Sequence, residues 1–104
     1  MDNGTSINNL KLVREMVGGE PYEYYPLGEY VVRAPGVCGG RPTFKYTRIE
    51  VSFILGRIAA GKRVDYIVSA YNDPNLSEKA IREAMNLANK AFVASSLAAQ
   101  PLAS

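Results

Sequence analysis

The sequence predicts a mainly α protein: a compact tri-helical bundle preceded by a short β-hairpin and an N-terminal helix. Three observations carry this expectation. From Val51 onward, apolar residues recur every three or four positions in three successive stretches. Between residues 29 and 47, short β-branched and aromatic runs flank a Gly-rich turn. Before that, Ile7, Leu10, Val13 and Val17 fall on one helical stripe.

In chain order, the stripe over residues 7–17 ends at Gly18-Gly19, a C-terminal stop. A helix this short is marginal alone and needs something to pack on. Residues 20–28 hold Pro21, Pro26 and Gly28 and read as an irregular linker. Their Tyr22, Tyr24 and Tyr25 suggest a segment pinned to a surface. Glu29 to Arg33 read as a short strand, stopped by Pro35 and Gly36. Gly39-Gly40-Arg41-Pro42 marks a tight turn, and Thr43 to Thr47 alternate as a second strand. Val51, Ile54, Leu55 and Ile58 define the first bundle helix, with Glu50 near its start and Gly61 as its stop. Val64, Ile67, Val68 and Tyr71 define a shorter second helix, broken by Asn72-Asp73-Pro74-Asn75. Ser77 is the expected N-cap of the third, whose stripe is Ile81, Ala84, Met85, Ala88 and Phe92 and which extends to about Leu97. None of the three can stand alone, so they bury their stripes together.

A chain of 104 residues argues for one domain, in which roughly two-thirds of the surface is buried. No apolar run approaches the ~20 residues of a membrane helix, and no signal-peptide stretch is evident. With one cysteine, Cys38, an intrachain disulfide is excluded, and cytoplasmic residence is the simplest reading. The absence of His removes Ser-His and Cys-His couples and His metal sites. Neither metal nor cofactor is expected. Nothing pairs a nucleophile with a base, so an enzyme is the weakest reading; Asp65 and Asp73 would have to converge with another carboxylate. Residues 41–63 hold Arg41, Lys45, Arg48, Arg57, Lys62 and Arg63 against Glu50 alone. Such a stretch suits phosphate, or is simply a solvated basic surface.

The runs VVRAPGVCGGRP (Val31 to Pro42) and TRI (Thr47 to Ile49), followed by the three helical stripes, resemble the family known as domain of unknown function 433. The likeness spans Val31 to Phe92 and leaves the first 28 residues without a counterpart. In this sequence Tyr46 stands where the family usually has Gly, Glu50 where it has Pro, and Arg63 where it often has a Ser or Thr cap. A positive φ would strain Tyr46, so a different local turn is expected. The resemblance implies a helix-turn-helix-like fold and antitoxin-like partners of PIN-like nuclease toxins, presumed to bind DNA.

In such a fold the third helix enters the major groove, where its solvent face would offer Lys79, Arg82, Asn86, Asn89 and Lys90. Glu83, also on that helix, would repel phosphate. The bland alternative is an ordinary solvated helix face. Lys62 and Arg63, after the first bundle helix, suit its dipole or touch phosphate. Arg41 and Arg48 either clamp phosphate or tie down the turn, for instance by pairing with Glu50. Gly39, Gly40, Pro42 and Thr47 complete the turn motif of the family pattern. Cys38 reads as a small buried apolar group.

The expected organisation is an N-terminal helix and Tyr-rich arm over 1–28, the tri-helical domain with its hairpin over 29–97, and a flexible tail over 98–104. The expected function is a DNA-binding, antitoxin-like regulator acting as a homodimer on double-stranded DNA, with a PIN-like nuclease toxin as partner. The alternative is a protein-interaction module that neutralises a nuclease without touching DNA.

Overall fold

A computed structural model describes residues 11–98. It corrects the fold class: the three helices follow a four-stranded antiparallel sheet, so the protein is α+β rather than mainly α. The strands are β1 (Val13–Val17), β2 (Glu20–Pro26), β3 (Val31–Arg33) and β4 (Pro42–Phe44), in the order β1-β2-β3-β4. The helices are α1 (Val51–Ala59), α2 (Val64–Tyr71) and α3 (Glu78–Ala98).

The segment expected as an N-terminal helix is β1 over its described part; Ile7 and Leu10 lie outside the described residues. The physical reason is a coincidence of periods. Val13 and Val17 are four apart, which suits a helix face, but with Glu15 they are also alternate residues of a strand. Gly18 and Gly19 do not cap a helix. At φ 59° and 82° they form the two-residue turn between β1 and β2, a conformation that glycine adopts without strain. The expected linker over 20–28 is mostly β2. Pro21 faces Met16 in the part of β2 that pairs only with β1, so its missing N–H disturbs no second ladder.

β3 is the spine of the sheet although it has only three residues. Val31 and Val32 point to opposite faces and both are buried. Val31 joins Phe44, Val51, Ile54, Ile67, Leu76 and Ile81 in the core between sheet and helices. Val32 joins Tyr24 and Ala34 in a smaller cluster under the hairpin. The three helical stripes close on each other as their periodicity requires. Ser77 caps α3, its Oγ accepting from Ala80 N–H at 3.1 Å, a bond worth about 1 kcal/mol. Asn72 ends α2 in the left-handed region at φ 52°.

Between strands and bundle, the family turn is built by Thr47. Its buried Oγ1 donates to the Phe44 carbonyl at 2.7 Å and accepts from Ile49 N–H at 3.0 Å. Tyr46 keeps a φ of 68°, so the turn requiring left-handed backbone is retained despite the side chain. Cys38 is half-buried rather than buried; it too has positive φ, 50°, and its thiol donates to the Arg48 carbonyl. The end of the expected tail, 99–104, lies outside the described residues.

Candidate nucleic-acid interface

The side chains on α3 divide by angle. Ala80, Ile81 and Ala84 are buried against α1, α2 and the sheet. On the opposite side, Lys79, Arg82, Asn86, Asn89 and Lys90 are all exposed. Spaced by three, four, three and one, they occupy about 100° of the helix circumference at 100° per residue. The rest of the described chain leaves this stripe uncovered. Arg82 is tethered within it: its guanidinium donates twice to Glu78 Oε2, at 2.7 and 2.9 Å, an i,i+4 pair.

Glu83 is not part of that surface. Its carboxylate turns toward the sheet and accepts from three consecutive backbone donors: Oε2 from Glu29 N–H at 2.8 Å, Oε1 from Tyr30 N–H at 2.7 Å and from Val31 N–H at 3.0 Å. Gly28 lets the loop come this close. A Cβ there would sit 2.6 Å from the carboxylate. The charge expected to repel phosphate is therefore spent on the chain's own backbone, and it fixes α3 against β3. Sequence reasoning missed this role because more than fifty residues separate the partners and no local pattern links them.

The basic stretch over 41–63 is largely engaged locally. Arg41 forms a bidentate pair with Glu50, Nε to Oε1 at 2.9 Å and Nη2 to Oε2 at 3.0 Å, across the start of α1. The Arg41 guanidinium holds the Glu50 carboxyl below its usual range. Lys45 lies over the rings of Tyr24 and Tyr46, Arg57 over Phe53, and Lys62 over Tyr66. Arg63 pairs with Asp65 at 3.0 Å and lowers its pKa. Arg48 is exposed and makes no ion pair among the described residues. Gly39 and Gly40 take φ of 64° and 81° in the short turn before β4, the conformation a Gly pair supplies. Lys62 and Arg63 thus belong to the α1–α2 joint, while the other five candidates share one face of α3.

The hairpin is clamped by a polar cluster. Glu15 on β1 accepts from the hydroxyls of both Tyr24 and Tyr46, and Tyr22 Oη accepts from Tyr46 N–H at 3.0 Å. The Tyr22 ring lies 5.1 Å from that of Tyr24 and 5.4 Å from that of Tyr46. The tyrosine-rich segment therefore packs on protein.

Among the described residues no group of three or more His, Cys, Asp or Glu is placed to hold a metal ion, and no helix is long and apolar enough to cross a membrane. A family model described as protein of unknown function (DUF433) matches residues 31–88. The chain belongs to this family. No curated protein and no solved structure matches it. The DUF433 span starts at β3 and ends within α3. The β1–β2 hairpin and the last turns of α3 lie outside it.

Proposed function

We propose that this DUF433 protein is a small cytoplasmic DNA-binding regulator of the antitoxin type, non-enzymatic and acting as a homodimer. The carrying observation is the exposed stripe Lys79, Arg82, Asn86, Asn89 and Lys90 on a helix whose other side is anchored in the core. Asn reads adenine edges, while Arg and Lys read guanine or hold phosphate. Placement of α3 after a short α2 and a turn matches the order in which a helix-turn-helix presents its reading helix. Lys62 and Arg63 at the α1–α2 joint would add phosphate contacts. Two copies bring the affinity that one small module lacks. A nuclease-toxin partner is what the resemblance read from the sequence implies, and it is part of this proposal.

The test is a fluorescence-anisotropy titration of the whole protein with duplex DNA, including the region upstream of its own gene, at low and moderate salt. Binding is expected to weaken as salt rises. Arg82→Ala with Lys90→Ala is expected to flatten the slope of log K against log salt by about 1.8 per bound copy, two phosphates' worth. If no duplex binds more tightly at low salt, DNA binding is abandoned.

A second reading is favoured by one observation, an apolar groove of about 460 Å³ between α1, α3 and the strand ends. A pure protein-interaction module would use it to hold a nuclease. Toxin binding would then survive the Arg82 and Lys90 substitutions with no DNA binding to lose.

A further inference from the structure

The end of α3 outruns the domain it belongs to. Ala80, Ile81 and Ala84 are buried, yet every residue from Ala88 to Leu97 is exposed. After Lys90 the described helix carries no charge: Ala91, Phe92, Val93, Ala94, Ser95, Ser96, Leu97, Ala98. Phe92 is 70% exposed, Val93 44% and Leu97 82%. At 100° per residue Val93 lies 100° and Leu97 140° from Phe92, so apolar side chains spread round most of this end, with the uncharged Ser95 and Ser96 between them. A helix of that character is a buried one. Two free turns without a partner would also gain too little from helix propensity to persist.

The apolar groove starts where this overhang leaves the domain. Leu27, Pro42 and Leu55 line it together with Leu87, Ala88 and Ala91 of α3. Groove and overhang are consecutive stretches of one helix. The small residues Ala84, Ala88, Ala91 and Ser95 run along the same side of α3 from one into the other, leaving room for a second helix to approach closely.

We propose that α3 is the self-association element of this protein: the uncharged end of α3 from a second copy seats in the groove, and the reciprocal contact closes a two-fold pair. A two-fold contact uses one patch twice, and this patch contains both a ridge and the groove to receive it. One antiparallel crossing covers the small-residue side of both overhangs, with Phe92 on its flank, and fills both grooves. A partner of other chemistry would have to bring a groove and a ridge of its own.

The area agrees. From Asn89 to Leu97 the overhang is about 13 Å long at 1.5 Å per residue. Half the surface of such a cylinder, about 11 Å across, given and received by each copy, totals on the order of 1,000 Å², the lower limit for a specific interface. The pair is therefore a concentration-dependent dimer. The polar stripe from Lys79 to Lys90 lies on the side of α3 away from Ala84, Ala88, Ala91 and Ser95, so it stays outside the crossing. This interface deepens the homodimer part of the proposed function, yet its measurement needs no DNA, so either can fail without the other.

Sedimentation velocity of the whole protein over a concentration series is expected to show a monomer–dimer equilibrium. Ala91→Asp with Phe92→Asp is expected to weaken dimerisation by at least about 100-fold, because each would bury a carboxylate against hydrocarbon on the small-residue side of α3 or its flank. Both positions are exposed within one copy, so the variant's circular dichroism spectrum should keep the sheet and bundle signal and lose at most the helicity of the overhang. As a second arm, Lys79→Ala is expected to leave the dimer constant unchanged. A wild-type protein that stays monomeric at every concentration overturns the proposal, as does a dimer indifferent to the two aspartates.

Discussion

Glu83→Ala is expected to lower the melting temperature by roughly 12–24 °C. The carboxylate accepts from three successive backbone donors, Glu29 and Tyr30 of the β2–β3 loop and Val31 at the start of β3. A hydrogen bond to a charged acceptor contributes about 1.5–3 kcal/mol, less where water replaces it. Glu29 N–H lies at an exposed residue and recovers most of its loss; Tyr30 and Val31 are half-buried and buried. The net loss is about 3 kcal/mol, and each kcal/mol shifts a domain of this size by about 4–8 °C. Glu83→Gln should fall between. One amide oxygen can serve Tyr30 and Val31, but its NH2 would face the Glu29 donor. Gly28→Ala probes the same contact from the other side, since its Cβ would displace the carboxylate. Once the carboxylate is gone, the added methyl has nothing to clash with. The double variant Gly28→Ala with Glu83→Ala should therefore be no less stable than Glu83→Ala alone. Additive losses in thermal melts would disprove the contact as described.

That contact also marks how far the sequence is legible. The three bundle helices could be read because each combines one unambiguous 3.6-residue stripe with a nearby stop or cap: Gly61, Asn72 and Ser77. The face of α3 that carries Lys79, Arg82, Asn86, Asn89 and Lys90 follows from the same periodicity. The hairpin was hidden by two degeneracies. Val13 and Val17 satisfy helix and strand spacing equally, and Pro21 and Pro26 disguise a strand whose ladder never needs their N–H groups. The fold class consequently came out as mainly α. Of the cations, the pairing of Arg41 with Glu50 is one of two readings the sequence offers and is found, although the two are nine residues apart and meet through the turn that Thr47 builds. Glu83, read as an obstacle on the solvent face, needed a contact across the whole fold to show its direction.

Tyr46→Gly restores the residue that the family pattern usually has and removes the strain of a positive φ, a gain of about 1–2 kcal/mol. The hairpin is nevertheless expected to loosen. The substitution deletes the hydroxyl donated to Glu15 and the ring packed on Tyr22. A hydrogen bond to a charged group contributes about 1.5–3 kcal/mol and the aromatic pair about 0.5–1.5. Tyr46 is 41% exposed, which puts each contribution at the low end of its range, so the balance is a loss of about 1 kcal/mol, confined to the contact between hairpin and turn. Amide exchange of Tyr22 and Tyr24 should accelerate by roughly fivefold while that of Ile54 and Ile81 is unchanged. Tyr46→Phe keeps ring and strain but loses the hydroxyl, so it should loosen the hairpin more than Tyr46→Gly does if strain relief counts as stated. Slower exchange in Tyr46→Gly would mean that strain dominates and the clamp is weak.

The same cluster sets a pH window for the hairpin. The bond to Glu15, then burial, pushes the Tyr24 hydroxyl from the ordinary 10.0 up to about 12, and Tyr46 is raised chiefly by the same carboxylate. Glu15 is held below the usual 4.5 by Tyr24 first and Tyr46 second. A phenol whose folded pKa is raised contributes its stability in full below about pH 10 and loses it as pH climbs through 12. A carboxylate whose folded pKa is lowered contributes above 4.5 and loses that as pH falls through its folded value. The clamp therefore holds across neutral pH and opens from both ends. In an absorbance titration of tyrosinate, part of the signal from the seven tyrosines should lag behind the rest at high pH. In Glu15→Gln that lag should shrink, because a neutral amide no longer opposes the phenolate charge. The hairpin amides should meanwhile remain protected near neutrality, since the amide oxygen still accepts from a tyrosine hydroxyl. An unchanged lag would show that burial, and not the carboxylate, keeps Tyr24 protonated.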